Sequence, residues 1–163
     1  MEFIQLLQTY SKSDISQGKW MIGIAVLIIL PACILIIRAG NSLQKGMLIP
    51  LFLLFLMNVT YGGYLLFSKP KHLEQTEKKF QFNPQETVAS ELAKIQAEDK
   101  SYTTTKLVWA GLLIVSVLCY FISRNEYLQG LSLGFSLMFT GMLLIDVFLH
   151  TRLKSYLNII LEI

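Results

Sequence analysis

The sequence predicts an all-α polytopic membrane protein, a four-transmembrane-helix bundle with a cytoplasmic helical extension, on three observations. The 163 residues are 53% hydrophobic and only 15% charged, whereas a soluble globular chain carries roughly 25% charge. Stretches without any charge recur at the length that a bilayer requires. Lysine and arginine are unevenly shared among the segments between those stretches. The net charge of +3 is too small to imply nucleic acid as a partner.

Hydrocarbon about 30 Å thick takes roughly 20 helical residues at about 1.5 Å each. Four stretches fit. Residues 20–37 lie between Lys19 and Arg38, 46–68 between Lys45 and Lys69, 107–123 between Lys106 and Arg124, and 127–145 between Glu126 and Asp146. Transmembrane strands are shorter, alternate in polarity and need a closed barrel, so helices are the expected elements. Leu30-Pro31-Ala32-Cys33 resembles a lipoprotein cleavage box, but the chain stays apolar through Ile37 and the leader is long, so the first span is expected to be retained.

Orientation follows from the positive-inside rule. The first segment, the middle segment and the C-terminal segment hold eleven of the Lys and Arg residues, and the two short loops hold Arg38, Lys45 and Arg124. Both termini are therefore expected in the cytoplasm of a bacterial cell, with the spans in its inner membrane. The implied organisation is an N-terminal interfacial segment (1–19), a first transmembrane hairpin (20–68), a cytoplasmic helical segment (69–105), a second hairpin (106–151) and a cytoplasmic tail (152–163).

Phe3, Leu6, Leu7 and Tyr10 recur at helical spacing and suggest a short helix lying in the interface. In the middle segment, Asn83-Pro84-Gln85-Glu86 reads as a helix start, with an Asn cap, Pro at the first position and Glu at the third. Nothing compels a break before Leu107, so the third span is expected to extend into the cytoplasm as one helix. The hairpins share a weak repeat: Cys33 to Arg38 and Cys119 to Arg124 both read C-x-x-I-x-R, and Leu43-Gln44 recurs as Leu128-Gln129. A duplication would give two parallel repeats about an axis along the membrane normal; chance matching of apolar segments is the competing reading.

Among side chains with chemistry, Asp146 stands out, because an acid in an apolar span costs roughly 2.5 to 3.5 kcal/mol at mid-membrane. It lies near the cytoplasmic end, one turn before His150 and close to Arg152, which suits a pairing with His150 and an anchoring role; a proton or ion site is the alternative. Gly130 and Gly134 form a G-x-x-x-G packing face for a neighbour within the chain or in a second copy. Gly62 and Gly63 are expected to do the same in the second span. Asn58, Thr60, Tyr61 and Tyr64 make a polar belt there, a candidate cavity lining or a set of interhelical hydrogen bonds. Cys33 and Cys119 fall at matching depths and are expected to be buried thiols, although a disulfide is conceivable. His72 and His150 have no metal-ligand pattern around them, and His72 reads as a solvated loop residue. No cofactor, metal site or catalytic motif is recognisable, which argues against an enzyme.

The closing segment, Leu143-Leu144-Ile145-Asp146-Val147-Phe148-Leu149-His150-Thr151-Arg152-Leu153-Lys154-Ser155-Tyr156-Leu157, resembles that of small four-helix bacterial inner-membrane proteins, some of them immunity proteins against pore-forming toxins. The resemblance implies a non-enzymatic interaction protein that blocks a toxin by helix contacts, with the bilayer, another membrane protein or a second copy as partners. Asp146, His150, Arg152 and Tyr156 are the residues it singles out. The alternative is a small oligomeric channel or transporter subunit using Asp146 and the polar belt.

Overall fold

Each charge-free stretch belongs to a helical run that continues well beyond it. The computed structural model describes residues 2–162. Its first run is α1 (Glu2–Ile24), a π-helical turn (Ala25–Ile29) and α2 (Leu30–Ala39); α3 (Ser42–Gly46) is short; α4 (Leu48–Phe82), α5 (Pro84–Ile122) and α6 (Glu126–Glu162) are long. At about 1.5 Å per residue, α5 is about 58 Å long, nearly twice the hydrocarbon thickness. The four runs are long and apolar enough to cross a membrane.

Local sequence accounts for the breaks. Pro31 has no N–H, and its ring crowds the carbonyl four residues back. The chain answers with the π turn just before it, in which the Leu30 N–H reaches the Ala25 carbonyl. Pro50 sits in the first turn of α4, where a missing N–H is harmless, and α4 runs on through Pro70. Asn41 caps α3, its side chain accepting from the Gln44 N–H at 2.9 Å while its own N–H donates to Gln44 Oε1 at 3.0 Å. Asn83 caps α5 in the expected way, with its Oδ1 3.3 Å from the Glu86 N–H and Pro84 as the first helical residue.

α1 packs along α4, α5 along α6, and α4 touches α6 between them; α3 lies against α6. Both termini and the Asn83 turn lie at one end of the molecule, the terminal end, and the two short connections lie at the other, the loop end. At the terminal end all four runs converge on a core of Phe3, Leu7, Ile95, Leu153, Tyr156 and Ile160. Full burial of such side chains stabilises by ~1.5–3 kcal/mol each.

That core corrects the boundaries read from the sequence. The segment from Glu2 to Lys19 is not a separate helix but the first part of α1: Phe3 and Leu7 are 2% and 1% exposed, because α4, α5 and α6 supply protein partners for the stripe. The segment from Arg152, read as a tail, continues α6 to Glu162 and buries Leu153, Tyr156 and Ile160. Residues 69–105 are the upper parts of α4 and α5 joined at Asn83. Met1 and Ile163 lie outside the described residues.

The rest of the molecule is the reverse. Trp20, Leu27, Leu35, Phe67 and Phe121 are each about two-thirds exposed or more, a surface that suits hydrocarbon and would be costly in water. α5 is the barest run: 6% of its most apolar window is buried, against 22–28% for the other three. Across the apolar half its neighbour is α6, and the polar pairs joining it to α4 lie nearer the terminal end.

Candidate functional site

The four α6 residues singled out from the sequence face two different neighbours. Asp146 and His150 point at α5. Asp146 Oδ2 accepts from the Trp109 indole N–H at 3.0 Å, and the Trp109 ring stacks on Phe139. His150 lies 2.7 Å from Asp99 through Nε2, and the Lys106 ammonium meets its Nδ1. An ammonium has no lone pair to offer, so Nδ1 accepts and the Nε2–H donates to Asp99. The expected Asp146–His150 pairing is therefore replaced by separate partners on α5. The i, i+4 spacing puts the two side chains on one face, and that face is filled by a neighbouring helix.

Arg152 and Tyr156 face α1. Arg152 is 3.6 Å from Asp14, which also binds Lys69 of α4 at 2.7 Å. The Asp14 side chain is 2% exposed, so one buried acid joins three helices. Below Lys69 lies the Tyr10 ring, its centroid 5.1 Å from Nζ, and Tyr10 stacks on Tyr156 at 4.4 Å with the planes 4° apart. Burial pushes both tyrosine hydroxyls well above their ordinary range.

Asp14 was missed by the sequence reading, and a signal was there. Phe3, Leu7, Ser11, Asp14, Gly18, Met21 and Ala25 recur at three- and four-residue spacings and are the buried face of the first run. An acid on that stripe has to find a cation. His72 lies on α4 and not in a loop; its side chain is partly exposed, with Nε2 2.8 Å from Lys94 Nζ and 3.3 Å from Glu91 Oε2, across the α4–α5 pair.

The G-x-x-x-G face meets a neighbour from within the chain. A Cβ on Gly130 would run into the Leu43 carbonyl of α3, and one on Gly134 would lie 2.9 Å from Pro50 at the start of α4. Gly62 and Gly63 divide, contrary to a shared role. Gly62 faces Gly18, whereas a Cβ on Gly63 would meet open space. Cys33 is buried and Cys119 exposed; both are free thiols. The expectation of burial therefore fails for Cys119, which lies on the bare span of α5.

Two clefts flank the α4–α6 contact. The one between α4 and α5, about 800 Å³, takes Thr60, Tyr61 and Tyr64 from the polar belt together with Asp146. Tyr61 and Tyr102 hydroxyls are 3.5 Å apart within it. The cleft between α1 and α6, about 730 Å³, takes Asn58, Trp20 and Arg152. Asn58 turns its amide back on its own helix, donating to the Leu54 carbonyl at 2.8 Å. The belt is thus split between two faces. No three of the described His, Cys, Asp and Glu residues converge as a metal site. No protein-family model, curated protein or solved structure matches this chain.

Proposed function

We propose that this chain is a non-enzymatic protein of the bacterial inner membrane, with both termini in the cytoplasm, that works by presenting a helix face to another membrane protein. An immunity protein that blocks a pore-forming toxin is the sharpest form of the reading. The observation that carries it is the bare apolar half of α5, which is packed on one side by α6 alone. Trp109 and Ser116 turn towards α6, Ser116 donating to the Ser132 carbonyl at 3.0 Å. The opposite face presents Leu107, Gly111, Ile114, Leu118 and Phe121. A Cβ on Gly111 would meet nothing within 4 Å, so a second helix has room to approach closely there. The eleven-to-three split of Lys and Arg supports the orientation.

The test is survival of cells that express the chain when challenged with pore-forming toxins. Protection is expected with the native chain and is lost in Gly111→Trp at equal membrane abundance. If no toxin kills less effectively with the chain present than without it, the immunity reading is wrong.

A channel or transporter subunit is the second reading, favoured by the sharing of one cleft by Asp146, Thr60, Tyr61 and Tyr64. Reconstituted vesicles decide it. A flux that disappears in Asp146→Asn supports transport, and no flux at any pH or potential rejects it.

A further inference from the structure

The cleft between α1 and α6 turns from polar to apolar at the same level on both of its walls. On α1, Ser13 and Ser16 precede the charge-free stretch that opens at Trp20, and Ile24 follows within it. α6 runs back towards the same end of the molecule. There Leu144 and Ile145 close the charge-free stretch, and Arg152 lies beyond it. The 3.6 Å approach of Arg152 to Asp14 of α1 sets the two polar segments side by side. Trp20 is 70% exposed at the boundary, the depth that an indole favours between headgroups and hydrocarbon.

The polar segment holds donors that the protein leaves unpaired. Thr9, one turn before Ser13, gives its hydroxyl to the Gln5 carbonyl. Ser13 and Ser16 have no hydrogen-bond partner among the described residues. The Arg152 side chain is one-third exposed, and its approach to Asp14 is too long for a hydrogen bond, so Asp14 Oδ1 is left without one. Lys69 already matches the Asp14 charge at 2.7 Å, which makes Arg152 the surplus cation. No carboxylate lines the cleft among the described residues, and Asp14 is 2% exposed. The site therefore complements an anion and offers no acid to an ammonium group.

We propose that this cleft holds one anionic diacyl phospholipid of the phosphatidylglycerol class, with its phosphate at Arg152, Ser13 and Ser16 and one acyl chain over Trp20, Ile24 and Leu144. Basic pockets between helices at the cytoplasmic face suit anionic headgroups in this way. The outer side of the cleft is open, with Phe148 66% exposed, and leaves the second chain in the bilayer. This site rests on the membrane reading above and is independent of whether the chain confers immunity.

The full chain in detergent, mixed with equal amounts of phosphatidylglycerol and phosphatidylethanolamine carrying the same acyl chains, is examined by native mass spectrometry. Phosphatidylglycerol is expected to be retained about fivefold over the zwitterionic lipid, the size of one basic residue meeting an anionic headgroup. The preference disappears in Arg152→Gln and in Ser16→Glu; the second changes an exposed position and decides the matter if the first fails to fold. Lys100→Gln, which removes an exposed cation of α5, leaves the preference unchanged. Equal retention of the two lipids by the native chain overturns the site. So does a preference that survives Ser16→Glu or a folded Arg152→Gln, or one that Lys100→Gln abolishes as well. Inorganic phosphate that displaces the lipid at equal concentration would mean an anion site without a lipid, and also overturns it. Flotation of the native chain with vesicles in alkaline carbonate is read in parallel: a chain that does not float fails the membrane reading, and one that floats without preference fails the lipid site alone.

Discussion

Gly18 and Gly62 face each other where α1 crosses α4, and a Cβ on either would lie 2.8 Å from the other's carbonyl oxygen. Both obstacles are backbone, so neither can swing aside. The crossing sits one turn below the Asp14–Lys69 pair and sets how closely the first two helical runs approach.

Gly62→Ala is therefore expected to destabilise the protein by about 1–3 kcal/mol, the usual cost of overpacking. Its neighbour is the control. Gly63→Ala meets open space, and the better helix propensity of alanine should leave stability unchanged or raise it by up to ~1 kcal/mol. Unfolding in a denaturing detergent separates the two; equal effects would remove the close crossing as the cause.

Asp14 holds two cations in a nearly dry position. Removing one partner of a buried pair leaves an uncompensated charge and costs about 3–5 kcal/mol, whereas removing both partners together can be close to neutral. Asp14→Leu is expected to be severely destabilising, and Asp14→Leu combined with Lys69→Met less so. A double variant that is worse than the single would mean that Lys69 is held by something other than Asp14.

Glu91 gives a pH dependence. Burial favours its neutral acid, but the neighbouring His72, Lys94 and Lys69 side chains outweigh it, so the carboxyl lies below the ordinary carboxylate range. A folded-state pKa below the unfolded value contributes stability that is present above about pH 4.3 and is lost as pH falls through the folded pKa. Glu91→Gln is accordingly expected to lose less stability than the native chain on acidification from about pH 6 to about pH 3. Parallel acid limbs in the two proteins would assign the acid sensitivity to other carboxylates.

Asp146→Asn keeps an amide oxygen where the carboxylate accepts from Trp109, so this variant should fold normally and serve as a clean probe of ion movement. Asp146→Leu leaves the indole N–H without that acceptor and is expected to cost ~1–3 kcal/mol. Trp109 fluorescence reports the difference directly: a shift in the Leu variant that is absent from the Asn variant is the expected pattern.

The presence of four apolar helical runs, the helix start at Asn83-Pro84 and the close-packing role of Gly130 and Gly134 were legible in the chain, because each rests on a short-range rule. Charge-free length, cap geometry and the absence of a Cβ do not depend on which neighbour arrives. The identity of the neighbour was not legible. Gly130 meets the short α3 instead of a spanning helix, and Asp146 and His150 bind α5 instead of each other.

The sequence by itself determined which stretches avoid water and that α5 starts at Asn83-Pro84 and continues unbroken into its apolar stretch. Only the tertiary structure decided which apolar residues meet protein and which meet the bare outer surface, since side-chain hydropathy is the same in both settings. Phe3 and Leu7 went to a protein core, while Leu118 and Phe121 stayed outside. The spacing along the α1 stripe carried part of that answer, and Asp14 lies on it; its partners, Lys69 and Arg152, come from distant parts of the chain and meet it only when α1, α4 and α6 are packed together.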